Sequence, residues 1–153
     1  MEKIAVFPGS FDPFTKGHKS IVTRAMPIFD KIIIAIGHNT NKQGFFPLEK
    51  RLYWINEVFK NSDKIEVEKF EGLTVNFCKE KNAGYLLRGL RTAADFEYER
   101  GIAQINKAME HNIETLFLLT APELTSITST IIQDILRNGG DASQFVPDEV
   151  SLK

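Results

Sequence analysis

Lys3-Ile4-Ala5-Val6-Phe7-Pro8-Gly9-Ser10-Phe11-Asp12-Pro13-Phe14-Thr15-Lys16-Gly17-His18 starts as an apolar run and turns at once into a stretch rich in Gly, Pro and Asp. A short apolar run bounded by turn residues reads as a buried strand, here over 3–7, with a helix following from about 17 to 29. The alternation continues along the chain. Residues 31–36 (KIIIAI) form a second strand, β-branched on both faces, and a polar loop leads to a helix opened by Pro47, whose fixed φ suits a first turn. Residues 65–70 alternate apolar and charged as a third strand, 72–81 form a helix, and 85–87 a fourth strand. A long helix is expected over 93–111, with Phe96, Ile102, Ile105 and Met109 at helical spacing. Gly101 lies inside it at a cost of about 1 kcal/mol relative to Ala, which predicts a close packing contact there. Residues 114–119 (ETLFLL) make a fifth strand, and a last helix over 128–137 stops at Gly139-Gly140. Strands apolar on both sides and alternating with helices predict an α/β fold, a doubly wound five-stranded parallel sheet covered on both faces. With no repeat, biased tract or linker, one domain over 1–153 is expected.

Composition narrows the function. The 153 residues are 42% apolar and 25% charged, as in an ordinary water-soluble domain with its own core. Nineteen basic against 20 acidic residues leave a formal charge of -1, without the basic excess expected of a partner for nucleic acid or an anionic membrane. No apolar run approaches the roughly 20 residues of a membrane span. Met1-Glu2-Lys3-Ile4 leads into a strand rather than a signal peptide, so a cytoplasmic location is expected. The single Cys78 has no disulfide partner within the chain and reads as a packing residue, and no Cys/His set has metal-ligand spacing. A G-x-x-x-x-G-K-[ST] loop and a G-x-G-x-x-G turn are both absent, which speaks against a kinase, GTPase or simple dinucleotide reading.

In open parallel sheets, ligands bind beyond the carboxyl ends of the strands, where helix N-termini also point. The unusual polar residues fall there five times: 8–18, the loop with Lys42, 71–74, Arg88-Gly89-Leu90-Arg91, and 125–130. Thr15 before a helix prefers Glu or Gln three residues on, and His18 stands in that slot instead. A cationic His at a helix N-terminus is disfavoured unless an anion is near. His18 is therefore either a satisfied surface residue or a ligand to an anion. Arg88 and Arg91 either pair with Asp95, Glu97 or Glu99, or capture phosphate in bidentate fashion. Lys42 is either solvated or a phosphate partner. The hydroxyls of 125–130 serve as an N-cap or as a nest for a polyphosphate. His38 and His111 read as structural or surface residues.

The set Gly9-Ser10-Phe11-Asp12-Pro13 with Thr15-Lys16-Gly17-His18 resembles the [T/H]-x-G-H signature of the Rossmann-like nucleotidyltransferases. Ser126-Ile127-Thr128-Ser129-Thr130 is similar to their second, I-S-S-S/T-type signature. Arg88-Gly89-Leu90-Arg91, with 94–99, Thr23-Arg24-Ala25 and Phe145-Val146-Pro147, narrows the likeness to the bacterial phosphopantetheine adenylyltransferase family, in order and spacing over nearly the whole chain. The resemblance implies transfer of AMP from ATP to 4'-phosphopantetheine, giving dephospho-coenzyme A and pyrophosphate in the penultimate step of coenzyme A synthesis. It also implies Mg²⁺ as cofactor, a homohexamer, and feedback binding of coenzyme A. Carried over by position, Ser10, Phe11, His18, Gly89, Leu90, Arg91 and Glu99 would bind ATP, together with Leu124, Thr125, Ser126, Ile127, Thr128, Ser129 and Thr130. Ser10, Lys42, Thr74 and Arg88 would contact phosphopantetheine, and His18 would be catalytic. Family members commonly carry Lys or Arg at the place of Gln133, a larger apolar residue at Thr74, and Thr at Ser10. Rival readings are a sibling nucleotidyltransferase acting on nicotinate mononucleotide, a catalytically silent nucleotide-binding module, and a fragment of a class I aminoacyl-tRNA synthetase.

Overall fold

The computed structural model describes residues 1–152. Strands Ile4–Gly9 (β1), Lys31–Gly37 (β2), Ile65–Phe70 (β3), Tyr85–Leu90 (β4) and Glu114–Leu119 (β5) form one sheet in the order β3-β2-β1-β4-β5. All its pairings are parallel. Parallel neighbours need a crossover, and helices Lys16–Ala25 (α1), Leu48–Val58 (α2), Thr74–Glu80 (α3) and Ala93–Met109 (α4) supply them in turn. A fifth helix, Ser129–Arg137 (α5), follows β5.

The central strands are buried on both sides, as their runs of Ile and Val require. Ala5, Phe7, Ile32, Ile34 and Leu87 pack on one face with Ile21, Val22 and Ala25 of α1 and Ile55 of α2. Ile4, Val6, Ile33, Ala35 and Leu86 pack on the other with Val75, Phe77 and Cys78 of α3. Cys78 is fully buried, and burial pushes its thiol up to about 11.

The chain folds back on both sides of β1, which runs beside β2 from Ile4↔Lys31 to Gly9↔Ile36. Its pairing with β4 covers Ala5↔Tyr85 and Val6↔Leu86, after which the two strands part. This is the topological switch point of the sheet, where a crevice opens at the carboxyl ends.

Several elements differ from the sequence reading. Helix α1 ends at Ala25 rather than near 29, because Pro27 has no N–H to give to the carbonyl of Thr23. Gly72 takes φ +84, which delays α3 to Thr74. Helix α4 stops at Met109, since Glu110 is extended. Strand β4 continues beyond Leu87 to Leu90, because β5 offers partners up to Leu90↔Leu119. Arg88 and Gly89 thus lie within a strand and not in the loop behind it.

A further correction concerns Gly101 in α4. Phe96, Ile102, Ile105 and Met109 are 40 to 61% exposed, and the buried residue of that helix is Glu99. A Cβ on Gly101 would meet nothing within 4 Å, so the expected close contact is absent within one protomer. Among the described residues, no helix is long and apolar enough to cross a membrane.

Candidate active site

The loop from β1 to α1 is shaped by aromatic packing. Phe11 is buried with φ +46, a left-handed conformation that costs a non-glycine residue roughly 1–2 kcal/mol. Ring contacts with Phe7 and Phe14, at centroid distances of 5.2 and 5.5 Å, hold it there. A Cβ on Gly9 would stand 2.9 Å from Cζ of Phe11, so this packing requires a glycine at position 9.

The same rings surround His18. Its imidazole stands edge-on to Phe11 at 5.0 Å and near Phe14 at 5.4 Å. Here the structure corrects the expectation of a broken capping box. The Thr15 hydroxyl accepts the His18 N–H at 3.2 Å, and Nδ1 of His18 accepts the Thr15 N–H at 2.9 Å. A neutral imidazole can play the acceptor that Glu or Gln usually supplies, and a cationic one cannot. With Nδ1 accepting, Nε2 carries the hydrogen and is the ring's remaining donor. Burial, with Arg88 and Arg91 nearby, lowers the His18 pKa to about 3. His18 is therefore a neutral donor at physiological pH.

This has a consequence for acid stability. The unfolded chain takes up a proton at its ordinary His18 near pH 6.5, while the folded chain resists until about pH 3. The unfolded state binds more protons in that window, so His18 removes stability as pH falls from 6.5 toward 3. Asn at position 18 keeps an acceptor in the place of Nδ1 and does not titrate. In urea titrations, His18→Asn is expected to gain on the wild type as pH drops from 7 to 4.5. A constant difference across that range would show that the imidazole is not held neutral.

Arg88 projects from β4 into the gap left by β1. Its Nε and Nη2 donate to Glu99 at 3.1 and 2.5 Å, and Nη1 donates to the Pro8 carbonyl at 2.6 Å. Arg91 pairs with Asp95 through its backbone N–H at 3.0 Å and Nε at 3.2 Å. The pairing considered from sequence is thus present for both arginines. A guanidinium has five N–H donors, and Arg88 keeps two beyond these three bonds.

A cavity of about 360 Å³, within the usual range for small-ligand sites, opens over this crevice. Ser10, Phe11, His18, Arg88, Gly89, Arg91, Glu99, Leu124, Ile127, Thr128, Ser129 and Thr130 all line it. Leu90, Thr125 and Ser126 are not in that wall. Ser129 donates its hydroxyl to the Pro13 carbonyl at 2.9 Å, and Thr128 caps α5 by accepting from the Ile131 N–H at 3.1 Å. Gln133 donates to the Asp12 carbonyl at 2.6 Å, so its amide braces the loop. Through the wall of Pro8, Gly9, Arg88 and Glu99 lies a second cavity of about 280 Å³. Its other walls include Thr74, Phe70, Leu86, Ile102, Ala103 and Asn106. Lys42 lines neither cavity and is exposed on the loop after β2, where its N–H donates to the Asn39 carbonyl at 3.0 Å. His38 is half-buried, 3.7 Å from Glu71, and His111 is exposed.

Two charged residues to which the sequence reading gives no role of their own are buried, Asp12 and Arg51. Asp before Pro in a turn looks like any turn residue, and Arg51 looks like a solvated position on a helix. Arg51 carries no local signal, and Asp12 stands in the 9–13 signature without a role of its own. Among the described residues, no group of three or more His, Cys, Asp or Glu could hold a metal ion.

The cytidylyltransferase-like family profile matches residues 6–135. The phosphopantetheine adenylyltransferase of Cytophaga hutchinsonii is 49% identical over 150 residues, covering 98% of this chain and 100% of the relative. The enzyme of that name from Flavobacterium psychrophilum is 50% identical over 149 residues, covering 97% and 98%. Among solved structures, a bifunctional NMN adenylyltransferase/ADP ribose pyrophosphatase from Francisella tularensis, complexed with AMP and Mn ion, superposes with a TM-score of 0.71. At 18% identity that likeness bears on the fold, and the chain spans 46% of that protein while being covered completely itself. The chain belongs to the cytidylyltransferase-like family and, within it, to the phosphopantetheine adenylyltransferases.

Proposed function

We infer that the first cavity takes ATP and the second takes the pantetheine arm of the acceptor, with the two reacting phosphates meeting beside Arg88. The observation that carries this reading is the shared wall of Pro8, Gly9, Arg88 and Glu99, which faces both cavities at once. The reaction transfers AMP from ATP to 4'-phosphopantetheine and yields dephospho-coenzyme A and pyrophosphate. An oxygen of the acceptor phosphate forms the new bond to the α-phosphorus as the bond between the α-phosphorus and the pyrophosphate oxygen breaks. That oxygen is already anionic near neutral pH, so no general base is required. The difficulty is bringing two anions together, which positioning and preorganised donors overcome.

In this reading His18 Nε2 donates to an α-phosphate oxygen. It accumulates no charge of its own, and it strengthens as charge develops there. Arg88 and Lys42 hold the acceptor phosphate. Arg91, Ser129, Thr130 and the first N–H groups of α5 hold the β- and γ-phosphates. Mg²⁺ fits as a companion of the triphosphate, because it prefers phosphate oxygens and water to an all-protein cage, and the Ser129 and Thr130 hydroxyls add oxygen donors. When bound, it neutralises charge on the leaving pyrophosphate.

Coenzyme A carries the same pantetheine arm as the acceptor, which supports its competing for the second cavity as a feedback ligand. A homohexamer is supported by the apolar surface left uncovered in one protomer, Phe96, Ile102, Ile105 and Met109 of α4 with Leu119 on the edge strand. Use of ATP supports a cytoplasmic place of work. A pyrophosphate-release assay with ATP, Mg²⁺ and a panel of acceptors tests the reading. Turnover is expected with 4'-phosphopantetheine and not with nicotinate mononucleotide, and the reverse preference would overturn it.

A further inference from the structure

We propose that Asp12 and Arg51 are positioning residues for the acceptor, fastening the Lys42 loop to the His18 loop through one buried ion pair. The proposal rests on the reading above, in which Lys42 holds the acceptor phosphate. The Asp12 carboxylate accepts two adjacent backbone N–H groups at the far end of that loop, Phe45 at 2.6 Å and Phe46 at 2.8 Å. Arg51, reaching from α2, donates Nε to the Phe46 carbonyl at 3.0 Å and Nη1 to the Ser10 carbonyl at 2.7 Å. Its Nε lies 3.8 Å from the carboxylate. A Cβ on Gly44 would stand 2.6 Å from Asp12 Oδ2 and 2.9 Å from Arg51 Nη2, so the loop lies directly against the pair.

The backbone of the same turn is held from the opposite side. Gln133 and Ser129 of α5 donate to the carbonyls of Asp12 and Pro13. Residues 12 and 13 therefore connect the Lys42 loop, the His18 loop and the hydroxyl-bearing start of α5. Neither Asp12 nor Arg51 lines either cavity, which argues for a role through the loops they join rather than through direct contact with a ligand there. A buried ion pair is a weak source of stability, since desolvation offsets its attraction and packed apolar residues of similar volume often do as well. What this pair supplies, and an apolar contact would not, is a fixed hydrogen-bonded register of 44–46 against Ser10 and Asp12. That register sets where the residues just before it, Lys42 among them, stand relative to His18.

The test is a double-mutant cycle read in acceptor KM, with ATP affinity measured separately by calorimetry. In the wild-type background, Asp12→Asn is expected to raise KM for 4'-phosphopantetheine at least tenfold and to leave ATP affinity within twofold, because its NH2 turns a donor toward one of the two N–H groups and the charge that pairs with Arg51 is lost. In the Lys42→Ala background, the same change is expected to move acceptor KM less than twofold, since the group being positioned is gone. Gly44→Ala removes no charge and presses on the pair from the loop side. It is expected to raise acceptor KM in the same direction and to show the same dependence on Lys42, and it decides the question should Asp12→Asn fail to fold. Equal effects in both backgrounds, or a folded variant with unchanged acceptor KM, would overturn the proposal and leave the role of Lys42 intact. If Lys42→Ala alone leaves acceptor KM unchanged, the assignment of Lys42 falls and the proposal falls with it.

Discussion

His18→Ala is expected to lower kcat by roughly 10²–10³ or more while ATP affinity stays within a few-fold, by analogy with removal of an oxyanion donor. The expectation follows from the state of the ring. Nδ1 is committed to the Thr15 N–H, so the Nε2 hydrogen is the one the imidazole can offer to a ligand. Burial and the nearby Arg88 and Arg91 keep the ring neutral with a pKa of about 3. A neutral donor adds little to ground-state binding of a triphosphate whose proposed holders are Arg91 and α5. Its contribution grows as charge builds at the α-phosphate, which places the loss in kcat rather than in affinity. For the same reason, the wild-type profile of kcat/KM should show no acid limb near pH 6.5 from this residue. His18→Asn separates the two roles of the ring, because it keeps the cap and deletes the donor. It should match the alanine variant in rate while retaining more of the helix start. A His18→Ala enzyme with near-normal turnover would remove His18 from the chemistry.

Arg88→Ala has the second largest expected effect, and it acts on stability and function together. Arg88 neutralises Glu99, which is 9% exposed and is the buried residue of α4. Removing the guanidinium strands that carboxylate. Breaking a fully buried pair costs about 3–5 kcal/mol, and the Arg88 side chain is a third exposed, so a loss of about 2–3 kcal/mol in urea unfolding is expected. kcat/KM for the acceptor should fall by roughly 10–10², the worth of one or two hydrogen bonds to a charged group. Removing Glu99 as well relieves the stranded charge. The Arg88→Ala/Glu99→Ala double variant should therefore regain most of the stability and none of the turnover. Recovery of both together would mean that Arg88 acts on the fold alone.

Much of the architecture was legible because apolar runs of four to seven residues, separated by turn residues, leave few alternatives to a covered parallel sheet. The misreadings have particular causes. Arg88-Gly89 looks like a loop, since a cation and a glycine are poor strand residues, and the pairing of Arg88 with Phe117, Gly89 with Leu118 and Leu90 with Leu119 keeps them in β4. The helical spacing of Phe96, Ile102, Ile105 and Met109 reports an apolar face without saying what covers it, and within one protomer that face is exposed. His18 was read as a break in a capping box because that rule is written for Glu and Gln. A neutral imidazole satisfies the same N–H, and burial is what makes it neutral. Asp12 and Arg51 gain no role of their own from sequence because the bonds by which they join the two loops span 33 to 41 residues of chain. No local pattern encodes such a bond. Lys42 was singled out by position, yet it stands clear of both cavities, and its approach to a ligand depends on the loop that carries it.

The proposed mechanism has two phosphorylated molecules lying side by side in the crevice between β1 and β4 and reacting directly with each other. The stereochemical course at the α-phosphorus tests this most closely, using adenosine 5'-(α-thio)triphosphate of one configuration as the AMP donor. A single in-line displacement should give dephospho-coenzyme A thiophosphate with inverted configuration at that phosphorus. Retention would require two successive displacements through an adenylylated side chain and would contradict direct transfer between the two cavities.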